Sequence, residues 1–564
     1  MQKLAPLLIL LASFRCAILP VMAETPGPVT QSLDGDWRIA QDPNDHGRTE
    51  KWFDQVGFSN AASRPVQVPG AIGEVWMGAG VWSDPPRDIY WYNKSFVPQM
   101  PAESNIRYYL RFGAVKHSSD VWLNGIYIGA HEGGEDPFEY DVTKAVRPGR
   151  PNVLGVRIVA GLLGGINQHV TLVAQPEVRI VDAFARPDAS AHQIHLDVTI
   201  ENNSGQPAVV DVHAALSEFK PSRPLEGQGA NLTVPPGQTV ASLVLPVAHP
   251  HLWNLNDPFL YAVSVTTEWK LGGSVTPLRD AYSFRTGFRD FRIVDGYFRL
   301  NGHRIFVKST HGNYYDPITP QGTPRDMRWL GRDFPQLKSA GFNMMRMIIS
   351  AALPEQLDQA DEIGFLIYSE HENSWLCRDP KFFGLTINQV VRRDRNHPSL
   401  VIWGLLNETA ELNVYQAARD WLPSVRAVDD TRLVLLSSGR WDKDFKTGSA
   451  SNPGSRTWNV YLGGEDPIAP KMTGGLSGEM GAYREGTGDA HVYPKYPMPA
   501  SFFADFARLD RDPHPFFLSE CGIGSSYNFI REKREMETAH APSCAVAWSW
   551  INPAVTAMEK TWAT

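Results

Sequence analysis

The chain has 564 residues, a formal net charge of −8, 43% hydrophobic and 20% charged residues. That composition excludes a disordered chain, and the length calls for three or four domains. With no dense Lys/Arg run and a negative balance, nucleic acid is not an expected partner. Seventeen Trp and 18 Tyr offer flat aromatic faces that suit sugars as well as cores.

The first 23 residues read as an export signal. Lys3 gives a short positive region, Leu4 to Ala12 an apolar one, and Val21–Met22–Ala23 a small-residue cleavage site. Arg15 interrupts the pattern, and a buried N-terminal helix is the other reading. A secreted or periplasmic location follows from the first, with no membrane association after cleavage. No other stretch reaches the ~20 apolar residues of a membrane span. Cys377, Cys521 and Cys544 would remain; their spacing fits no zinc site, and at most Cys521 and Cys544 could pair.

From 24 to 175 short alternating runs recur, such as RYYLRFG (107–113), DVWLNGIYIG (120–129) and NVLGVRIV (152–159), with turn residues between them. A β-sandwich is expected, and Asn124–Gly125 predicts a tight hairpin turn. From 176 to 290 a second set of strands, among them QIHLDVTIENN and LYAVSVTTEW, predicts a smaller immunoglobulin-like sandwich.

From 291 to 564 the pattern changes to apolar strands alternating with helical stretches. Strands are expected at 304–310, 342–348, 365–370, 400–408, 432–438, 489–494, 515–520 and 544–550, with helices near 329–339, 354–362, 410–426 and 501–508. Eight such units predict a (β/α)₈ barrel. About fifty residues between the fifth and sixth strands, rich in Gly, Ser and Pro, exceed a plain connector. Only fourteen residues follow Trp550, short for a closing helix.

Two carboxylates stand at strand ends in this scheme. Glu408 closes the apolar run LVIWGLLNE on the fourth strand, and Glu520 closes PFFLSE on the seventh. A carboxylate ending a buried strand is costly unless it is paired or opens into a cleft. A helix cap is the plain reading of Glu408 and a structural acid that of Glu520. Strands four and seven face each other across a barrel mouth, and catalytic groups of such barrels sit there. Two carboxyls flanking one bond are what glycoside hydrolysis requires.

RRDRNHPSLVIWGLLNE (392–408) and SECG (519–522) resemble the acid/base and nucleophile segments of glycoside hydrolase family 2, the β-galactosidase, β-glucuronidase and β-mannosidase group. SLDGDWRI (32–39), HEGGEDPFEYDVT (131–143) and LWNLNDPFLY (252–261) resemble its sugar-binding and immunoglobulin-like domains, and 283–309 the approach to its barrel. The fold implied is a jelly-roll β-sandwich, an immunoglobulin-like β-sandwich and a C-terminal TIM barrel. The resemblance implies Glu408 as acid/base and Glu520 as nucleophile, with retention of configuration and a carboxyl separation of roughly 5–5.5 Å. Glu408 would then need a raised pKa and Glu520 an ionised carboxylate.

The resemblance also implies that Asn407 binds the sugar 2-hydroxyl, Arg346 holds the nucleophile, Tyr493 hydrogen-bonds it, and Trp548 floors the sugar site, with Trp550 in the core. His491 and Asp489 share that rim as substrate contacts or as satisfied strand-end groups. Glu370, His371 and His311 are further candidate substrate contacts at the ends of the third and first strands.

The sugar-reading positions depart from the family pattern. Ile349–Ser350–Ala351–Ala352 stands where β-galactosidase members have His-Tyr-Pro, and Cys521–Gly522–Ile523–Gly524 lacks their histidine after the nucleophile. The Asn-x-Lys of β-glucuronidase members is absent, Asn552 and Lys560 being wrongly spaced, and GGINQHVTL (164–172) lacks the usual arginine. The expected function is an exo-acting retaining β-glycosidase, on a β-galactoside or β-glucuronide first of all, with a saccharide or glycoconjugate as partner and no cofactor or metal. A homo-oligomer is left open. The alternatives are an inactive carbohydrate-binding member and a metal-dependent hydrolase; the first predicts loss of a carboxylate, the second an HxH pair on the first strand.

Overall fold

The computed structural model describes residues 28–76, 88–100, 105–161, 164–270, 277–312, 327–371, 374, 377–384, 386–409, 411–439, 447–458, 460, 489–492 and 517–521. The first unit is an antiparallel sandwich of the jelly-roll class. One sheet runs Val29–Ser32, Val170–Pro176, Ile106–Phe112, Phe138–Asp141; the other is centred on Asp88–Phe96, Asn152–Ala160 and Val115–Leu123. Tyr92, Leu110, Val121, Val156, Ile158 and Leu172 fill the space between them. The predicted hairpin forms at Asn124 (φ 54°) and Gly125 (φ 81°), the left-handed pair that a two-residue type I′ turn needs.

The second sandwich packs three strands, Val178–Asp188, Gln193–Asn202 and Gly237–Pro246, on four, Arg223–Val234, Ala208–Glu218, Tyr261–Trp269 and Leu278–Thr286. Along Tyr261–Trp269 every second residue is buried, and the same alternation runs through Gln193–Asn202. Each Ile, Leu or Val so buried is worth about 1.5–3 kcal/mol relative to exposure. Seven strands in a three-plus-four arrangement is the immunoglobulin-like pattern.

The third unit is the barrel. Ser309–Gly312, Met344–Met347, Leu366–Ser369, Leu400–Asn407 and Leu433–Ser438 form a parallel sheet in sequence order, and Asp489–Val492 pairs in parallel with Phe517–Cys521. These are seven of the eight expected strands; residues 544–550 lie outside the described residues. All eight residues of Leu400–Asn407 are buried, because helices cover one face and the barrel interior the other. Met345, Met347, Ile367, Trp403 and Leu405 pack outward on Leu357 and Ala360 of helix Pro354–Ile363 and on Val414, Ala418 and Leu422 of helix Leu412–Val428. Helix Pro354–Ile363 starts with Pro in its first turn, and the Leu353 N–H is taken up by the Gln356 side chain at 3.0 Å.

The first strand corrects the expectation of 304–310. His303–Arg304 instead completes a small antiparallel sheet with Phe291–Val294 and Tyr297–Leu300, and the barrel strand starts at Ser309. The cause is burial at the bottom of the barrel. Phe291, Ile293 and Leu300 pack with Met344, Leu366 and Leu433, the first residues of three strands, and Ile305 and Val307 press on the same cluster. The apolar run at 305–307 therefore belongs to a plug. The insertion after the fifth strand contributes Ala450–Ser451, antiparallel to Val434 and Leu435.

The signature segment 392–408 does two jobs. Its first half fastens the barrel to the second sandwich: Asn396 exchanges hydrogen bonds with the backbone of Ala185 (3.0 Å) and Ala183 (2.8 Å), and Arg392 and Arg395 both pair with Asp182. From the other side Arg289 donates to the carbonyls of Pro398, Leu400 and Thr431 at 2.9–3.1 Å. Its second half is the strand that delivers Asn407 and Glu408.

Candidate active site

Arg346 leaves the second barrel strand toward the interior and is 1% exposed. Its guanidinium reaches acceptors on three other strands. Nη1 donates to Glu520 Oε1 at 2.8 Å and to the Ser519 carbonyl at 3.3 Å, and Nη2 to Asn407 Oδ1 at 3.0 Å. Nε donates to Glu370 Oε1 at 2.7 Å, and Nη2 shares the same oxygen. A planar fork of five donors suits such a cluster where a lysine would not. Buried in this way, a guanidinium is tolerable only because its donors are taken up.

Glu370 is fixed in turn. Its Oε2 accepts from the Ile349 N–H at 2.8 Å and from the Ser374 hydroxyl at 2.9 Å. Gly404 on the neighbouring strand makes room: a Cβ there would come within 2.5 Å of the Tyr368 ring and 2.8 Å of Glu370 Cγ.

Glu408 follows the fourth strand with φ 50°, a left-handed backbone unusual for a residue with a side chain. Its N–H is bonded to the Ser438 carbonyl at 2.9 Å, which pins the bend to the end of the fifth strand. The side chain is 12% exposed, open to the barrel mouth, whereas that of Glu520 is 4% exposed. His491, fully buried on the sixth strand, stands between the two. Its Nδ1 lies 2.7 Å from Glu408 Oε1; its Nε2 lies 2.8 Å from Ser438 Oγ and 3.4 Å from Glu520 Oε1. Burial pushes this imidazole down to about 4, so it is neutral near pH 7.

One oxygen of Glu408, one oxygen of Glu520 and a His491 nitrogen all lie within 4.8 Å of one another. Three such atoms could also hold a cation, although Arg346 already supplies positive charge to Glu520. Asp358, Asp361 and His397 make a second cluster of this kind; there Arg285 pairs with Asp358, and Asp361 accepts from the Ser399 N–H (3.0 Å) and contacts His397 (2.6 Å).

The structure thus brings together six of the residues singled out by sequence: Arg346, Glu370, Asn407, Glu408, His491 and Glu520. His311 reaches the same region, with Nε2 at 3.1 Å from the Ser519 carbonyl. His371 packs the other way: its Nε2 is 2.7 Å from the Leu405 carbonyl and its ring lies edge-on to Phe383, in the layer beneath the helices. Tyr493, Trp548, Trp550 and Cys544 lie outside the described residues, and of Asp489 and Cys521 only the strand positions are described. Sequence reasoning overlooked Ser374, Ser438 and Ser519. The Ser437–Ser438 pair ending the apolar run RLVLL was a usable sign, being polar at the end of a buried strand.

Three family models match in chain order. "Glycosyl hydrolases family 2, sugar binding domain" matches residues 30–162, "Glycosyl hydrolases family 2" 178–289, and "Glycosyl hydrolases family 2, TIM barrel domain" 291–453. A β-glucuronidase of Paenibacillus borealis is 25% identical over 72% of this chain and 72% of its own length. A β-galactosidase of Bacteroides ovatus is 25% identical over 78% of this chain but only 51% of its own. In fold the chain is similar to a solved β-glucuronidase of Ruminococcus gnavus in complex with uronic deoxynojirimycin, with TM-score 0.61 and 23% identity over 74% of this chain and 73% of that one. By its three domains and its relatives the chain belongs to glycoside hydrolase family 2.

Proposed function

We propose that the protein is an exported, exo-acting retaining β-glycosidase that removes a terminal β-linked sugar by double displacement, with Glu520 as nucleophile and Glu408 as acid/base. The observation that carries this reading is the pair of carboxylates with oxygens within 4.8 Å of each other, Glu520 accepting from the Arg346 guanidinium at 2.8 Å and Glu408 lying 2.7 Å from His491. That spacing supports the close pair of a retaining enzyme over the wider pair of an inverting one.

The environment divides the labour. A guanidinium at hydrogen-bond distance favours the ionised form of Glu520, which the attack on the anomeric carbon requires. Ionised, Glu520 can only accept, as can the neutral imidazole's bare nitrogen. With the His491 proton on Nε2, facing Ser438 and Glu520, Nδ1 accepts, and the proton in its 2.7 Å contact belongs to Glu408. Glu408 then starts the cycle as an acid. It gives this proton to the departing glycosidic oxygen while Glu520 bonds to the sugar, and it later takes a proton from the water that releases the sugar. Asn407 takes the sugar 2-hydroxyl in this reading, which its hydrogen bond from the same Arg346 that holds Glu520 supports.

Relatives that are β-galactosidases and β-glucuronidases support a β-galactoside or β-glucuronide as substrate. The export reading rests on residues 3–23 of the sequence. Glu520→Gln is expected to lower turnover of the best nitrophenyl β-glycoside by a factor on the order of 10,000. The screen spans galactoside, glucuronide, mannoside, glucoside and fucoside; near wild-type rates for Glu520→Gln would overturn the assignment.

A further inference from the structure

We propose that Glu135, a residue of the first sandwich, is a positioning residue for the barrel's nucleophile. The inference rests on the reading of Glu520 given above. Glu135 follows the strand Ile126–Gly133 in the loop GGEDPF, far in sequence from the barrel, and is 5% exposed. Its Oε2 accepts from the Ala351 N–H at 2.7 Å, and its Oε1 lies 3.4 Å from Lys116 Nζ. Its own carbonyl accepts from Arg393 at 3.0 Å, and the same guanidinium donates to the Ala352 carbonyl at 2.8 Å.

What Glu135 holds is the bend that follows the second barrel strand. Ile349 there has φ 50°, a conformation that a β-branched residue adopts only when its surroundings impose it. Three backbone N–H groups of the bend are each committed. Ile349 donates to Glu370 Oε2 at 2.8 Å, Ala351 to Glu135, and Ala352 to Ser369 Oγ at 3.2 Å. Two of those acceptors belong to the barrel and one to the sandwich. Released from Glu135, the bend can relax toward ordinary φ, and the N–H that orients Glu370 swings with it. Glu370 sets the tilt of Arg346, and Arg346 holds Glu520 at 2.8 Å. A contact made by one domain thus orients the attacking group of another.

Glu135→Ala in the full chain is expected to lower kcat about tenfold with little change in KM, since the loss falls on alignment and not on sugar contacts. The acid limb of kcat/KM, which reports ionisation of Glu520, should move up by about half a pH unit as the guanidinium loosens. Glu135→Gln keeps an acceptor for Ala351 and should recover most of the rate. Where Glu135→Ala does not fold, Glu135→Asp carries the test: it keeps the charge near Lys116, withdraws the acceptor, and should show the same limb shift. A melting temperature lowered alone, with the kcat and acid limb of the folded fraction matching wild type, would overturn the proposal. If Glu520→Gln stays active, the reading of the site fails instead.

Discussion

Glu408 owes its position to its own backbone as much as to its neighbours. With φ 50° it departs from the strand direction of Leu400–Asn407, and the Ser438 carbonyl holds that turn. Burial favours a neutral His491 near pH 7, and in the reading proposed above the proton of their contact is the one on Glu408. In the proposed cycle that proton is needed only where the leaving group is a poor one. Glu408→Ala should therefore slow hydrolysis of an alkyl β-glycoside by about a hundredfold or more and that of a dinitrophenyl glycoside far less in the first step. Steady-state rates on both, together with rescue of the nitrophenyl reaction by azide, check this; equal losses would make Glu408 structural. Of the residues here, the acids were legible as carboxylates closing buried barrel strands, and Arg346 and Asn407 through the family resemblance; position at a strand end alone does not suffice, since His371 packs the other way. Glu370 was legible as a participant but not in its part. A carboxylate that serves another side chain and one that meets a substrate leave the same mark in a sequence, and only the Arg346 and Ile349 contacts distinguish them.

Among the elements, the segment 392–408 resembles an active-site signature, yet its first seven residues work at an interface. Asn396 joins two backbone groups of the strand Val178–Asp188 with its one amide. Asn396→Ala should cost about 2 kcal/mol of stability, two hydrogen bonds at roughly 1 kcal/mol each. Urea unfolding measures the cost, and the folded fraction should turn over as before; a loss of activity without loss of stability would contradict the division. The sandwich strands were legible because a half-buried sheet alternates in sequence, as Tyr261–Trp269 does. The start of the barrel was not. A buried plug and a buried parallel strand both read as a short apolar run, and 305–307 is the former.

At the scale of the whole molecule, the first sandwich and the barrel also meet through His169. Its imidazole touches Asp34 of the sandwich at 2.6 Å and Glu355, in the first turn of helix Pro354–Ile363, at 3.2 Å. Those two carboxylates raise His169 to about 10, and His169 holds Glu355 below the usual carboxylate range. A group whose folded pKa lies above its free value of 6.5 stabilises the fold fully below pH 6.5 and loses that contribution as pH rises through about 10. The melting-temperature gap between wild type and His169→Gln should thus be widest near pH 6 and close by pH 10; a constant gap would show that the ion pairs are not its source. No sequence pattern marked this contact, since His169, Asp34 and Glu355 meet only once the domains are docked.

Arg346 has a last consequence. It ties the second strand to the third, fourth and seventh across the mouth of the barrel, so the bond that orients the proposed nucleophile is also a clasp on the cylinder. Chemistry and closure draw on one guanidinium. An inactive form made for trapping a bound sugar should accordingly keep an acceptor at position 520. Glutamine leaves the clasp fastened, whereas alanine opens it and surrenders rigidity along with reactivity.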